Sequence, residues 1–203
     1  MDLPPEILLA SSNPHKVTEI SAILDSLGVC GVRVGGLGDK LAAAEAPAET
    51  GNTFAENARI KAKYWADVTG KPCLSDDSGL CVDALSGAPG IRSSRYADSD
   101  RARVIRLLDE LEATGATALP QRAAHFHCSA CISFPDGTLV EAEGRCEGII
   151  STEPSGTSGF GYDPIFYLPD LQKTMAELTA SQNNELSHRR RAVASLFAKF
   201  NLY

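Results

Sequence analysis

Residues 6–28 read EILLASSNPHKVTEISAILDSLG, and the class of fold follows from this stretch. Residues 6–10 are a short apolar run without polar alternation, which suits a strand covered on both faces. Asn13 can then serve as a helix N-cap, with Pro14 at the first helical position, where a missing N–H is harmless. Val17, Ile20, Leu24 and Leu27 recur at helical spacing, and Gly28 can end the helix. A strand passing straight into a helix is the opening of an α/β fold. The turn between them, Ser11 to Lys16, presents the open backbone N–H groups of a helix N-terminus, which suit phosphate.

Outward from there, residues 39–52 are small, acidic and turn-rich. The next helix begins at Thr53, where T-F-A-E has the capping-box pattern of Thr53 and Glu56, and it runs to about Gly70. Asn57 and Lys61 are four apart and share one face of it. Residues 73–75 (CLS) read as a short strand, followed by the acidic pair Asp76–Asp77 and then SGLCVDAL. A helix over 99–112 turns Val104, Leu107, Leu108 and Leu111 inward. Two strand-like runs, 123–134 and 138–150, flank Pro135-Asp136-Gly137, a hairpin turn signal. A glycine-rich loop, PSGTSGFGYDPIF, occupies 154–166, and helical segments near 174–182 and 187–200 follow. The chain shows no repeats, linkers or low-complexity tracts, so residues 1–203 read as a single domain.

Composition narrows the function. Hydrophobic residues at 43% and charged residues at 22% are ordinary for a globular chain. A net charge of −7 argues against nucleic-acid binding, which calls for a basic face. A negative chain can still take an anionic substrate if it gathers its cations in one place and adds a metal. No apolar run reaches the roughly 20 residues that span a bilayer. MDLPPEILLA lacks a basic n-region, so no signal peptide is expected. Six cysteines scattered through apolar stretches (Cys30, Cys73, Cys81, Cys128, Cys131 and Cys146) suit buried reduced thiols and a cytoplasmic location.

Four polar groups stand out: Ser11–Lys16; Glu49 with Asn57 and Lys61; Asp76–Asp77–Ser78; and Ser187–His188–Arg189. Each alone has a plain reading, since an Asp-Asp often caps a turn and a lone helix lysine or an arginine run is usually solvated. Walker A and GxGxxG loops are both missing. Together, however, the groups supply what polyphosphate hydrolysis requires: carboxylates for a hard divalent ion, and cations with helix N-terminal amides for phosphate. The segment His125-Phe-His127-Cys128-Ser-Ala-Cys131 resembles a zinc ligand set. On an unbroken strand, though, a spacing of three sends Cys128 and Cys131 to opposite faces, so structural histidines and core cysteines are expected.

Three blocks carry a family resemblance: LLASSNPHKVTEI; ETGNTFAENARIKAKYWADVTGKPCLSDDSGLCVDALSGAPGIRSSRYA; and EGIISTEPSGTSGFGYDPIFYLPDLQKTMAELTASQNNELSHRRRA. Almost end to end, and in order, they resemble the inosine/xanthosine triphosphate pyrophosphatases, the Ham1-like family. The resemblance implies an α/β fold with an elongated mixed sheet flanked by helices, two lobes around a central nucleotide-binding cleft, and a homodimer. It implies hydrolysis of noncanonical purine nucleoside triphosphates (ITP, dITP, XTP) to the monophosphate and pyrophosphate with Mg2+, and neither nucleic acid nor membrane as partner. By position, the phosphate-binding turn falls on Ser11, Ser12, Asn13, Pro14, His15 and Lys16. The metal ligands fall on Glu49 and Asp77, with Asp77 also the general base and Ser78 beside it, and the phosphate-facing lysine on Lys61. The nucleotide-lining stretch falls on Phe160, Gly161, Tyr162 and Asp163, and the purine-reading motif on Ser187, His188 and Arg189. Arg189, a donor only, would favour a 6-oxo base. Asn183-Asn184 stands where the family commonly places Lys-Asn or Lys-Ser, so Asn183 meets substrate without the lysine's charge. The rival readings are a Maf-like nucleotide pyrophosphatase of other base preference and a non-catalytic nucleotide-binding protein.

Overall fold

The structure is a computed structural model that describes residues 2–11, 14–29, 33–36 and 46–201, without the side chains of Pro14, His15 and residues 33–36. Its strands are β1 (Glu6–Leu9), β2 (Arg33–Gly36), β3 (Cys73–Val82), β4 (Ala123–Ser133), β5 (Leu139–Ile150), β6 (Phe166–Leu168) and β7 (Lys173–Thr174). The helices are α1 (Pro14–Ser26), α2 (Phe54–Thr69), α3 (Asp100–Ala113), α4 (Ala180–Leu186) and α5 (His188–Phe197). The sheet order is β2-β1-β3-β4-β5-β6-β7. β1 runs parallel to β2 and β3, whereas β6 is antiparallel to β5 and β7, so the sheet is mixed and the expected α/β class holds.

Two compact units share these strands, β3, β4 and β5 each passing from one into the other. The first comprises Met1–Asp77, Cys128–Gly144 and Arg189–Tyr203. In it β1 is covered on both faces, as its apolar run predicts. Ile7 and Leu9 pack with Ile20, Ile23 and Leu24 of α1 and Val193, Leu196 and Phe197 of α5. Leu8 faces the other way, against Trp65 and Ala66 of α2. Burying each large side chain of this kind contributes about 1.5–3 kcal/mol. The second unit, Ser78–His127 and Arg145–His188, closes around Leu80, Leu107, Leu111, Phe126, Ile150 and Phe166.

The sequence signals for α2 correspond to real caps. Thr53 Oγ1 accepts the Glu56 N–H at 3.1 Å, and Glu56 Oε2 accepts the Asn52 N–H at 2.6 Å. Gly70 ends the helix in the left-handed conformation, φ 64°, its N–H bonded to the Ala66 carbonyl. The strand seen in 73–75 extends to Val82, so Asp76 and Asp77 lie inside it. The helix expected near 174–182 divides into β7, a 3-10 turn at Met175–Glu177 and α4, which Thr179 caps by accepting from Gln182 N–H. β4 is unbroken through 125–131; Cys128 joins the Ile7 cluster, while Cys131 packs with Ala58 and Ala62. The two thiols occupy opposite faces, and His127 Nδ1 accepts from Arg145 Nε at 3.2 Å.

Candidate active site

Neighbouring residues on a strand point to opposite faces. On β3 this rule splits the acidic pair, and each carboxylate joins a different cluster of the first unit.

Asp77 faces α2. Its Oδ1 accepts from Lys61 Nζ at 3.1 Å and its Oδ2 from Asn57 Nδ2 at 3.2 Å. Asn57 and Lys61 are one turn apart, so one helix face holds both oxygens. Lys61 Nζ also donates to Glu49 Oε1 at 2.8 Å, which makes Glu49 and Asp77 converge on a single ammonium. Burial would depress the pKa of Lys61, but the Asp77 and Glu49 carboxylates hold it above the ordinary lysine value. Burial pushes Asp77 up, and the Lys61 charge offsets only part of the rise. A carboxylate so raised accepts a proton more readily than a solvated one.

Asp76, 3% exposed, faces the other way, toward α1 and α5. Lys16 Nζ lies 2.9 Å from its Oδ2, and Arg189 Nε donates to the same oxygen at 3.1 Å. The Arg189 Nη1 donates to Glu19 Oε2. Burial alone would raise the pKa of Asp76, yet Lys16 and Arg189 hold it well below the usual carboxylate range. Burial likewise works against the Arg189 charge, and Asp76 and Glu19 more than restore it.

Of the residues expected from sequence, the structure thus brings together Glu49, Lys61 and Asp77, and separately Lys16 with Arg189. Arg189 is 2% exposed, its guanidinium turned onto carboxylates. Ser11 is half-buried at the end of β1. Ser12 and Asn13, with the Asn13 cap, lie outside the described residues, as do the side chains of Pro14 and His15 and residues 39–45 of the acidic stretch.

In the second unit Ser78 and Asn183 are half-buried, Asn183 on α4. His188 stacks on Phe126 with ring centroids 5.0 Å apart. The FGYD stretch divides by direction. Phe160 is 46% exposed, whereas Tyr162 and Asp163 are buried. The Tyr162 hydroxyl donates to the Ser93 carbonyl at 3.0 Å, and Gly161 N–H donates to Asp100 Oδ2 at 2.8 Å. Asp163 Oδ2 accepts the Phe160 N–H at 3.0 Å, so Asp163 closes the loop that presents Phe160.

Sequence reasoning grouped Asn57 with Glu49 and Lys61, and Asp76 with Asp77, without giving either a role of its own, and it passed over Glu19. Asn57 had a visible signal, a buried-facing amide on the same helix stripe as Lys61. Glu19 had a weaker one, three residues from Lys16 on α1.

Fold and site together define a mixed-sheet α/β protein whose charged centre suits a divalent cation and a polyanion. The chain belongs to the Ham1 family, which matches residues 7–199. It is 48% identical over 194 residues to a dITP/XTP pyrophosphatase of Halalkalibacterium halodurans, covering 94% of this chain and 96% of the relative. A dITP/XTP pyrophosphatase of Streptomyces coelicolor is 44% identical over 193 residues, at 94% coverage of both chains. A HAM1 protein from Coxiella burnetii superposes with a TM-score of 0.85 at 39% identity, covering 96% of this chain and 98% of its own. The Ham1 protein of Staphylococcus aureus gives 0.83 at 40% identity, covering 96% and 97%.

Proposed function

We propose that this chain is a nucleoside-triphosphate pyrophosphatase that hydrolyses dITP, XTP and ITP to the monophosphate and pyrophosphate, clearing noncanonical purines from the nucleotide pool. The observation that carries the reading is the convergence of Glu49 and Asp77 on one cation, in a chain with relatives at 48% and 44% identity that bear the dITP/XTP pyrophosphatase name.

The donor set fits Mg2+, a hard ion that takes a few carboxylate oxygens and completes its shell with phosphate and water. Glu49 and Asp77 would hold it, and when bound it supplies positive charge against the charge developing on the phosphate oxygens. Asp77 accepts a proton from the attacking water. The water oxygen forms the new bond to the α phosphorus as the bond to the α–β bridging oxygen breaks, and pyrophosphate leaves. Lys16, Lys61 and the backbone N–H groups of the Ser11–Lys16 turn, Pro14 excepted, hold the polyphosphate in line. Exposed Phe160 offers a face to the base, and Asp163 and Gly161 keep it presented. Reading of the 6-oxo group by Arg189 requires the guanidinium to share its ion pairs with the purine.

Residues 1–203 act as one functional domain, in the cytoplasm and as a homodimer. No disulfide joins the five described cysteines, which suits a reducing compartment, and the family resemblance is the ground for the dimer. A Maf-like activity has no support from a Ham1 match that spans residues 7–199. Pyrophosphate release from ITP, XTP, dITP, GTP, ATP and dUTP tests the reading. Turnover of the first three with Mg2+, lost in EDTA, is the expected result, and preference for ATP or dUTP would refute it.

A further inference from the structure

Asn57 is fully buried within α2, where an amide left without partners would carry a desolvation penalty. Both its ends are used. Nδ2 donates to Asp77 Oδ2 at 3.2 Å, and Oδ1 accepts the Gly51 N–H at 2.9 Å. Because Gly51 N–H can only donate, it fixes which end of the amide faces Asp77. Gly51 lies two residues after Glu49, in the irregular stretch leading to the Thr53 cap. That stretch has no sheet or helix ladder to hold it, so side-chain contacts set its position. Gly51 approaches so closely that an added Cβ would stand 2.6 Å from Glu56 Cβ and 2.7 Å from Asn57 Oδ1.

One side chain therefore ties the backbone that carries Glu49 to the carboxylate of Asp77. Its contacts differ in kind from those of Lys61. The lysine pairs by charge with both acids and can exchange them for other ions. The amide is neutral, holds only Oδ2, and leaves Oδ1 to the cation.

We propose that Asn57 is the positioning residue of the Glu49–Asp77 pair, setting the separation of the two carboxylates and the direction of the Asp77 oxygen that meets the water. The proposal rests on the reading of these acids as the metal-holding pair. Two substitutions divide its halves. Asn57→Asp keeps an acceptor for Gly51 N–H but turns the donor to Asp77 into a second carboxylate facing it. Gly51→Ala keeps the amide as a donor group but crowds Asn57 Oδ1 and Glu56, and so displaces the Glu49 stretch against them. With ITP, Asn57→Asp is expected to lower kcat about 10- to 100-fold, the range for a hydrogen bond to a charged group, with a smaller change in KM. Gly51→Ala is expected instead to raise the Mn2+ concentration for half-saturation about 10-fold, the low end for disturbing a contact that orients a metal-holding carboxylate.

The readouts are steady-state pyrophosphate release and electron paramagnetic resonance of free Mn2+, titrated with protein and the α,β-methylene analogue of ITP. Urea melts identify the folded variants. If folded Asn57→Asp and Gly51→Ala match the wild type in kcat and Mn2+ midpoint, and differ only in stability, Asn57 is structural and the proposal fails. Should Asn57→Asp fail to fold, Gly51→Ala decides by its Mn2+ midpoint alone. A wild-type chain inert toward ITP would sink the proposed activity, while the Mn2+ titration would still decide on Asn57.

Discussion

Asp76 and Asp77 are adjacent in sequence, and substitution should separate them by what each affects. Asp77→Asn is expected to leave the fold intact and to lower kcat by at least about 100-fold, the low end for a lost acid–base group; near-normal ITP hydrolysis by the folded variant would remove Asp77 from the chemistry. Asp76→Asn is expected to act on stability. Removing one partner of a buried ion pair costs about 3–5 kcal/mol, and Glu19 still serves Arg189, so the lower figure applies. Since the folded pKa of Asp76 lies below its unfolded value, its ionised form stabilises the protein above about pH 4 and that contribution fades as pH falls below it. Urea unfolding should therefore show a gap between wild type and Asp76→Asn that is full at about pH 7 and narrows toward about pH 3. A gap that stayed constant would refute the pairing. Arg189→Ala tests base choice: loss of a donor to the 6-oxo group lowers the ITP-to-ATP ratio of kcat/KM roughly 10- to 150-fold. Equal losses on both substrates would leave Arg189 only its ion pairs with Asp76 and Glu19. Lys16, Glu49, Lys61, Asp77 and Arg189 were legible as residues because motif spacing carries them. The Arg189 ion pair was not, because Arg189 and Asp76 are 113 residues apart and only the folded sheet brings them together.

At the scale of elements, strong local signals were read correctly and tertiary ones were missed. The capped α2, the α1 stripe and the Pro135-Asp136-Gly137 hairpin all depend on neighbours within a few residues. β3 was cut at Ser75 because Asp-Asp-Ser-Gly is poor strand material by propensity, and burial between ion partners overrides that preference. β2, with its two glycines, and two-residue β7 offered no usable period. The loop before Asp163 gives an element-scale test. Gly159 has φ 79°, and an added Cβ would stand 2.1 Å from Asp163 Oδ2. Gly159→Ala should therefore disturb the presentation of Phe160 and raise KM for ITP by about 5- to 100-fold, the range of one base–aromatic stack, while kcat changes less. An unchanged KM would mean that Phe160 does not meet the base.

For the molecule as a whole, a net charge of −7 and a polyanionic substrate are compatible because cations are concentrated at Lys16, Lys61 and Arg189 beside their acids. The buried thiols give a check on packing that does not depend on activity. Burial pushes Cys131 up to about 12 and raises Cys128 and Cys73 as well. These three should resist a thiol reagent in the native protein and react on unfolding; fast native labelling of Cys128 would contradict its place in the core. The alternation along β3 also bears on what lengths of chain this protein can tolerate. Adding a single residue between Cys73 and Asp76 would carry Asp76 into the place that faces Lys61, move Asp77 one place beyond it, and leave Ser75 between Lys16 and Arg189. One added residue should therefore cost the buried ion pair and its stability before it costs the carboxylate at Lys61, whereas two should remove the carboxylate from both faces. Such a graded loss is open to a simple insertion scan, scored separately for stability and for activity.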